Sequence, residues 1–293
     1  MEIPVKGKGM AQLQRFAWTI CLSATVVTLL AAPVSAGQIF YDFTQENNSK
    51  LVGIDTATGI ATAIGSGTGY SNLTGSAFAP DGTLYAVTGT TAIKVNLSTG
   101  AGSFVETTAV GFMGMAFASD GTAYFGTGSN TLWKRDPVTG HYTNIGSMGF
   151  SNFMDFAMNS LGELYAVASS PSSPPTGSSY IYRIDTSTGH GTLVSTVAVP
   201  CLMGLAFGAG DSLYGTEFCG GPYPLYQIDL STGNANAIGT TTGIANLHGG
   251  DINPIPEPST WLTAAPALGI AWWFRTARRR KARRSRGTVP SLA

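Results

Sequence analysis

The stretch "IYRIDTSTGHGTLVST" (181–196) decides the fold. It opens on an alternating run, reaches Asp185, turns through Thr188-Gly189 and enters a second run rich in Thr, Leu and Val. Two such runs either side of a glycine turn read as paired antiparallel strands. The pattern recurs in "LVGIDTATGIATAIGS" (51–66), "IKVNLSTGAGSFVETT" (93–108), "LWKRDPVTGHYTNIGS" (132–147) and "LYQIDLSTGNANAIGT" (225–240). The markers Asp55, Asn96, Asp136, Asp185 and Asp229 stand 41, 40, 49 and 44 residues apart.

A second unit lies between them: "SAFAPDGTLYAV" (76–87), "MAFASDGTAYFG" (115–126), "FAMNSLGELYAV" (156–167) and "LAFGAGDSLYGT" (205–216). Each adds two strands, so the period of about 40–50 residues holds four, as a β-propeller blade requires. "TLYAV" and "LYQID" alternate as half-buried strands do. Gly59, Gly100, Gly140, Gly189 and Gly233 are expected to take positive φ in the Thr-Gly turns. Asp81-Gly82 and Asp120-Gly121 are expected to do the same in the other hairpin.

Strands a and b come from the second unit, c and d from the first. "QIFYDF" (38–43) fits b and begins a blade that lacks its innermost strand; "HGGDINP" (248–254) fits a and can supply it. That stitch closes a ring of about five blades over residues 37–254 and leaves no open seam. A solenoid of stacked hairpins is the rival, but it would want distinct capping units, and none is visible.

Charge separates the chain into parts. The whole is neutral, yet residues 37–254 carry five Lys and Arg against fourteen Asp and Glu, a net −9. An acidic body argues against nucleic acid as a partner. At the amino end, Lys6, Lys8 and Arg15 precede "FAWTICLSATVVTLLAA", and "PVSA" ends at Ala36. Residues 1–36 read as a secretory signal peptide, helical in its apolar part and cut between Ala36 and Gly37. Export leaves Cys201 and Cys219 in an oxidising compartment. Both lie nine residues from Gly210, the centre of a hairpin turn, so they are expected opposite one another and bridged.

Catalytic chemistry is scarce. His141 and His190 follow Thr-Gly turns and are expected in solvent; no metal-binding His cluster or phosphate-cradling Gly loop appears, and no cofactor is implied. Strand a carries Gly75, Gly114 and Gly204 at a fixed place, where the third complete set carries Asp155. With His248 and Asp251 near the closing strand, these three are the candidates to line a central channel. "SSPSSPPTGSS" (169–179) reads as an extended surface insertion. Tyr70, Phe112, Phe150 and Tyr223 are candidates for exposed aromatics at the blade mouths.

The carboxyl end departs from all of this. Pro256, Glu257 and Pro258 precede an apolar segment from Trp261 to Phe274. Arg275, Arg278, Arg279, Arg280, Lys281, Arg283, Arg284 and Arg286 follow, and residues 287–293 form a tail. Such a segment is expected to span the membrane as a helix, with the arginines held inside. In its three parts and their order, 255–286 resembles the PEP-CTERM sorting signal of Gram-negative bacteria. The resemblance implies an exosortase-like processing enzyme as partner, a membrane-anchored intermediate, and delivery to the cell surface or an exopolysaccharide matrix. Pro266 within the apolar helix and the trailing "GTVPSLA" depart from that pattern.

The expectation is an exported, noncatalytic propeller that binds a polysaccharide or surface protein, or serves as a coat component linked to biofilm. The alternative is a secreted hydrolase or lactonase-like propeller with a channel metal.

Overall fold

The computed structural model describes residues 37–169, 177–219, 223–240, 243–244 and 246–254. Among the described residues, twenty strands lie in five four-stranded antiparallel sheets. Blade 1 contains β1 (Ile39–Thr44), β2 (Leu51–Asp55) and β3 (Ala61–Ile64). Blade 2 contains β4 (Gly75–Phe78), β5 (Leu84–Thr88), β6 (Thr91–Val95) and β7 (Gly102–Thr107). Blade 3 contains β8 (Gly114–Phe117), β9 (Ala123–Gly126), β10 (Thr131–Arg135) and β11 (Tyr142–Ser147). Blade 4 contains β12 (Phe153–Met158), β13 (Leu164–Ala168), β14 (Ser179–Ile184) and β15 (Gly191–Val197). Blade 5 contains β16 (Leu202–Phe207), β17 (Leu213–Glu217), β18 (Leu225–Ile228) and β19 (Ala235–Ile238). The last strand, β20 (Leu247–Ile252), pairs with β1 and completes blade 1 in the order β20-β1-β2-β3. The fold is a five-bladed β-propeller closed by its own carboxyl-terminal strand.

The turns follow their residue chemistry. Gly59, Gly100, Gly140, Gly189 and Gly233 take φ of 69°, 70°, 71°, 84° and 76°. The marker at the head of each turn accepts backbone N–H groups; Asp136 Oδ1, for example, accepts from Val138 (2.9 Å) and Thr139 (2.8 Å). At four seams these turns also touch the neighbouring blade. A methyl on Gly59 would overlap the carbonyl of Ile238, and one on Gly100 that of Ile64.

Five hydrophobic clusters fill the ring, one in each seam between blades. The half-buried reading holds for β5, where Tyr85 stays part-exposed between buried Leu84 and Ala86, but not for every b strand. Neighbouring blades cover both faces of β13, so all five of its residues are buried. Alternation survives on the outer strands, such as β14.

Candidate functional site

The geometry of the axis follows from its glycines. The inner edges of β4, β8, β12, β16 and β20 meet there with backbones nearly touching. A methyl on Gly114 would come within 2.8 Å of Asp155 Cα, and one on Gly249 within 2.6 Å of Gly75 Cα. Asp155 is the one place in this inner ring where the repeat carries a side chain in place of the small residue.

That side chain crosses the axis. Asp155 Oδ2 accepts from Leu205 N (3.2 Å) in blade 5 and from Gly250 N (3.1 Å) in blade 1. An inner strand has one edge without a neighbour, and its N–H groups need acceptors. Asp251 does the same between blades 1 and 2: Oδ2 accepts from Phe78 N (2.8 Å) and Oδ1 from Ile252 N (2.8 Å). Asp42 on β1 accepts from Thr216 Oγ1 (2.6 Å) and Phe43 N (2.6 Å). Sequence reasoning missed Asp42. Its signal was there, because the equivalent b-strand position holds Ala86, Phe125, Ala166 or Gly215.

Burial raises the pKa of all three carboxyl groups, against the lowering effect of their donors. Asp42 and Asp251 are pushed up to about 7, and Asp155 well above the usual carboxylate range. Burial has the opposite effect on His248, lowering it to about 4. Its Nδ1 meets the Thr74 carbonyl oxygen, and its ring stands edge-on to Phe218.

The three residues singled out from sequence therefore do not face one open channel. Asp155 and His248 are enclosed, since close approach of the glycine backbones seals the axis around them. Asp251 lies under a depression of about 450 Å³ on the face of the a–b turns. Among the described residues no group of three or more His, Cys, Asp or Glu is arranged to hold a metal ion.

Cys201 and Cys219 form a disulfide, with Cα atoms 5.6 Å apart. The register of β16 against β17 pairs Leu202 with Glu217, and Phe218 N donates to Cys201 O (3.0 Å) just beyond. The bridge ties the first and last residues of one hairpin, which the chain-entropy model values at about 3 kcal/mol. It is a bond of an oxidising, extracytoplasmic environment.

The aromatic candidates need correction. Phe112 is buried and stacks on Phe125 and Tyr142, because the connection from strand d to strand a turns inward to cap the seam. Phe150 stacks on Tyr182 with centroids 4.0 Å apart, and Tyr70 packs on the seam between blades 1 and 2. Tyr223 is half-buried. His141 and His190 are exposed. Ala36, the sorting motif Pro256–Pro258, the basic cluster and residues 170–176 of the insertion lie outside the described residues; Gly37 is the first within them.

A second cavity of about 380 Å³ opens in the seam between blades 2 and 3. Here Arg135 Nε pairs with Glu106 Oε1 at 2.7 Å, and Tyr142 donates its hydroxyl proton to the same oxygen at 2.9 Å. Sequence reasoning did not single out these residues.

No protein-family model and no curated protein sequence matches the chain. Among solved structures, a chain of the nidogen/laminin complex is similar, with TM-score 0.51 and 14% identity over 74% of this chain and 98% of that one. A chain from a study of how a symmetrical protein emerges in evolution gives TM-score 0.49 and 18% identity, over 74% of this chain and 100% of that one. At 14% identity the first likeness is one of fold, and it agrees with the five-bladed propeller described above.

Proposed function

We propose that this chain is an exported surface or matrix protein whose propeller is a noncatalytic binding module. Its carboxyl end would be recognised by an exosortase-like enzyme after a membrane-anchored stage. The observation that carries the reading is the Cys201–Cys219 bridge, set in an acidic body between an amino end with the sequence pattern of a secretory leader and a terminus of Pro-Glu-Pro, apolar segment and basic cluster. Strand geometry supports a tethered role: Phe40 pairs with Ile252, so both ends of the ring leave it at one point. The noncatalytic part rests on the axis, where the carboxylates accept backbone N–H groups rather than converge on open space.

Intact mass of the protein from the native host's surface and medium fractions tests this. The expected mass fits a chain from Gly37 to the region of Pro256–Pro258, with any covalent addition, and rises by two hydrogens on reduction. A chain that keeps the cluster from Arg275 to Arg286 would overturn the processing step and leave a stably anchored propeller.

A further inference from the structure

Four residues at the seam between blades 2 and 3 break the repeat, and they break it together. Four blades carry Leu51, Leu132, Ile181 or Leu225 where strand c faces the next seam; blade 2 has Ala92. Four have Gly65, Gly146, Ser195 or Gly239 near the end of strand d; blade 2 has Glu106. The cross-strand pairs Ile54–Ala61, Val95–Gly102, Ile184–Gly191 and Ile228–Ala235 become Arg135–Tyr142 in blade 3.

These changes remove an apolar plug and replace it with a lined space. All four residues border the cavity of about 380 Å³. The turn contact is lost as well. A methyl on Gly140 would meet only the Arg135 side chain, where the corresponding glycines at the other seams abut a neighbouring carbonyl. In its place stands the ion pair between Arg135 and Glu106, each side chain 29% exposed and so reachable.

We infer that this seam is a binding site for a single pyranose unit of a neutral glycan. The inference rests on the reading of the propeller as a noncatalytic binding module and assigns its ligand and place. The volume falls at the lower end of the roughly 300–1,000 Å³ of small-molecule sites, which suits one ring. Tyr85, Phe117 and Tyr142, part-exposed at the cavity, supply aromatic surface for the apolar faces of a sugar. Glu106 and Arg135 offer paired acceptors and a planar fork of donors for neighbouring hydroxyls, and their charges cancel. Asp81 and Asp120 stand at the rim, each accepting a turn N–H, and they disfavour an anionic ligand.

The test uses the exported protein from its host. Methyl glycosides of glucose, galactose, mannose and N-acetylglucosamine are titrated by calorimetry and saturation-transfer NMR, with tetramethylammonium as a cationic control. At least one glycoside should bind saturably. Ala92→Leu, and separately the double variant Glu106→Gly with Arg135→Ile, should weaken it by about tenfold or more. Each variant installs a residue the other blades carry, and an unchanged melting temperature confirms that the fold holds. No glycoside binding, or binding of the cation alone, overturns the assignment. Binding that survives both variants overturns the site but leaves the binding module standing. A glycoside that binds here and is cleaved supports the site and overturns the noncatalytic reading.

Discussion

Aspartates at the axis and aspartates on the rim of this propeller live in opposite environments. Asp42 and Asp155 are enclosed and Asp251 is part-buried beneath the a–b face, and burial raises the pKa of all three despite good donors. Asp136, Asp185 and Asp229 sit in the exposed c–d turns, where hydrogen bonds from the following turn residues lower theirs. Both groups accept backbone N–H bonds. Only the axial group joins blades that are distant in sequence, so the same residue type closes a local turn at the rim and the whole ring at the centre.

The largest expected effect tests that division directly. Asp155→Ala orphans Leu205 N and Gly250 N, and unsatisfied buried donors cost about 1–3 kcal/mol each. Relief of the buried carboxyl offsets part of this, so urea unfolding should show a loss of roughly 3 kcal/mol at unchanged m-value. Asp155→Asn keeps an acceptor and should cost much less. Equal effects from the two would remove the acceptor role.

The pH profile comes next. Asp42 and Asp251 have folded pKa values near 7 against 3.8 unfolded, so the native state holds extra protons between these values. Their contribution is full below pH 3.8 and is lost as pH rises through 7. His248, near 4 folded and 6.5 otherwise, works the other way: its contribution is present above 6.5 and is lost as pH falls toward 4. Three raised carboxyls, Asp155 among them, oppose one imidazole, so the melting temperature should fall from about pH 5 to about pH 8. Asp42→Asn together with Asp251→Asn should flatten that slope and leave the pull of Asp155. An unchanged slope in the double variant would sever Asp42 and Asp251 from the pH dependence.

The rim should respond least. Asp185→Ala loses the bonds to Ser187 and Thr188 in one exposed turn, and its melting temperature should drop by well under half the fall seen for Asp155→Ala. The lowered pKa values of Asp136, Asp185 and Asp229 put their contribution above pH 3.8, lost only as pH falls below it. Their Asn variants should therefore change the slope of stability with pH on the acid limb alone, with a small and constant loss at neutral pH. A rim variant that changed the slope in the neutral range would blur the comparison.

The same division governs what could be read from sequence. Local features were legible because each needs only its own neighbours: the Thr-Gly turns and the hairpin that brings Cys201 to Cys219. The distant pairing of β20 with β1 was legible for another reason, because the repeat leaves the first blade one strand short and the last strand unpaired. The role of Asp155 was not. Its acceptors are 50 and 95 residues away, and alternation says nothing about which backbones meet at an axis. Phe112 misled for a related reason, since a residue in a connecting loop looks exposed until the loop's direction is known. The seam of Arg135 and Glu106 was visible as departures from the repeat, but only the ring shows that four strands bring them to one cavity.

The pairing of β20 with β1 also sets a timetable. A chain made from its amino end completes β1 first, and the partner for its inner edge comes only with Leu247–Ile252, after every other blade. Blade 1 must wait with an open edge while four later blades assemble, so the ring is finished in one late event. Deleting Leu247–Ile252 would leave the other nineteen strands of the described residues in place and a breach at the centre, a far heavier loss than the removal of six residues would suggest.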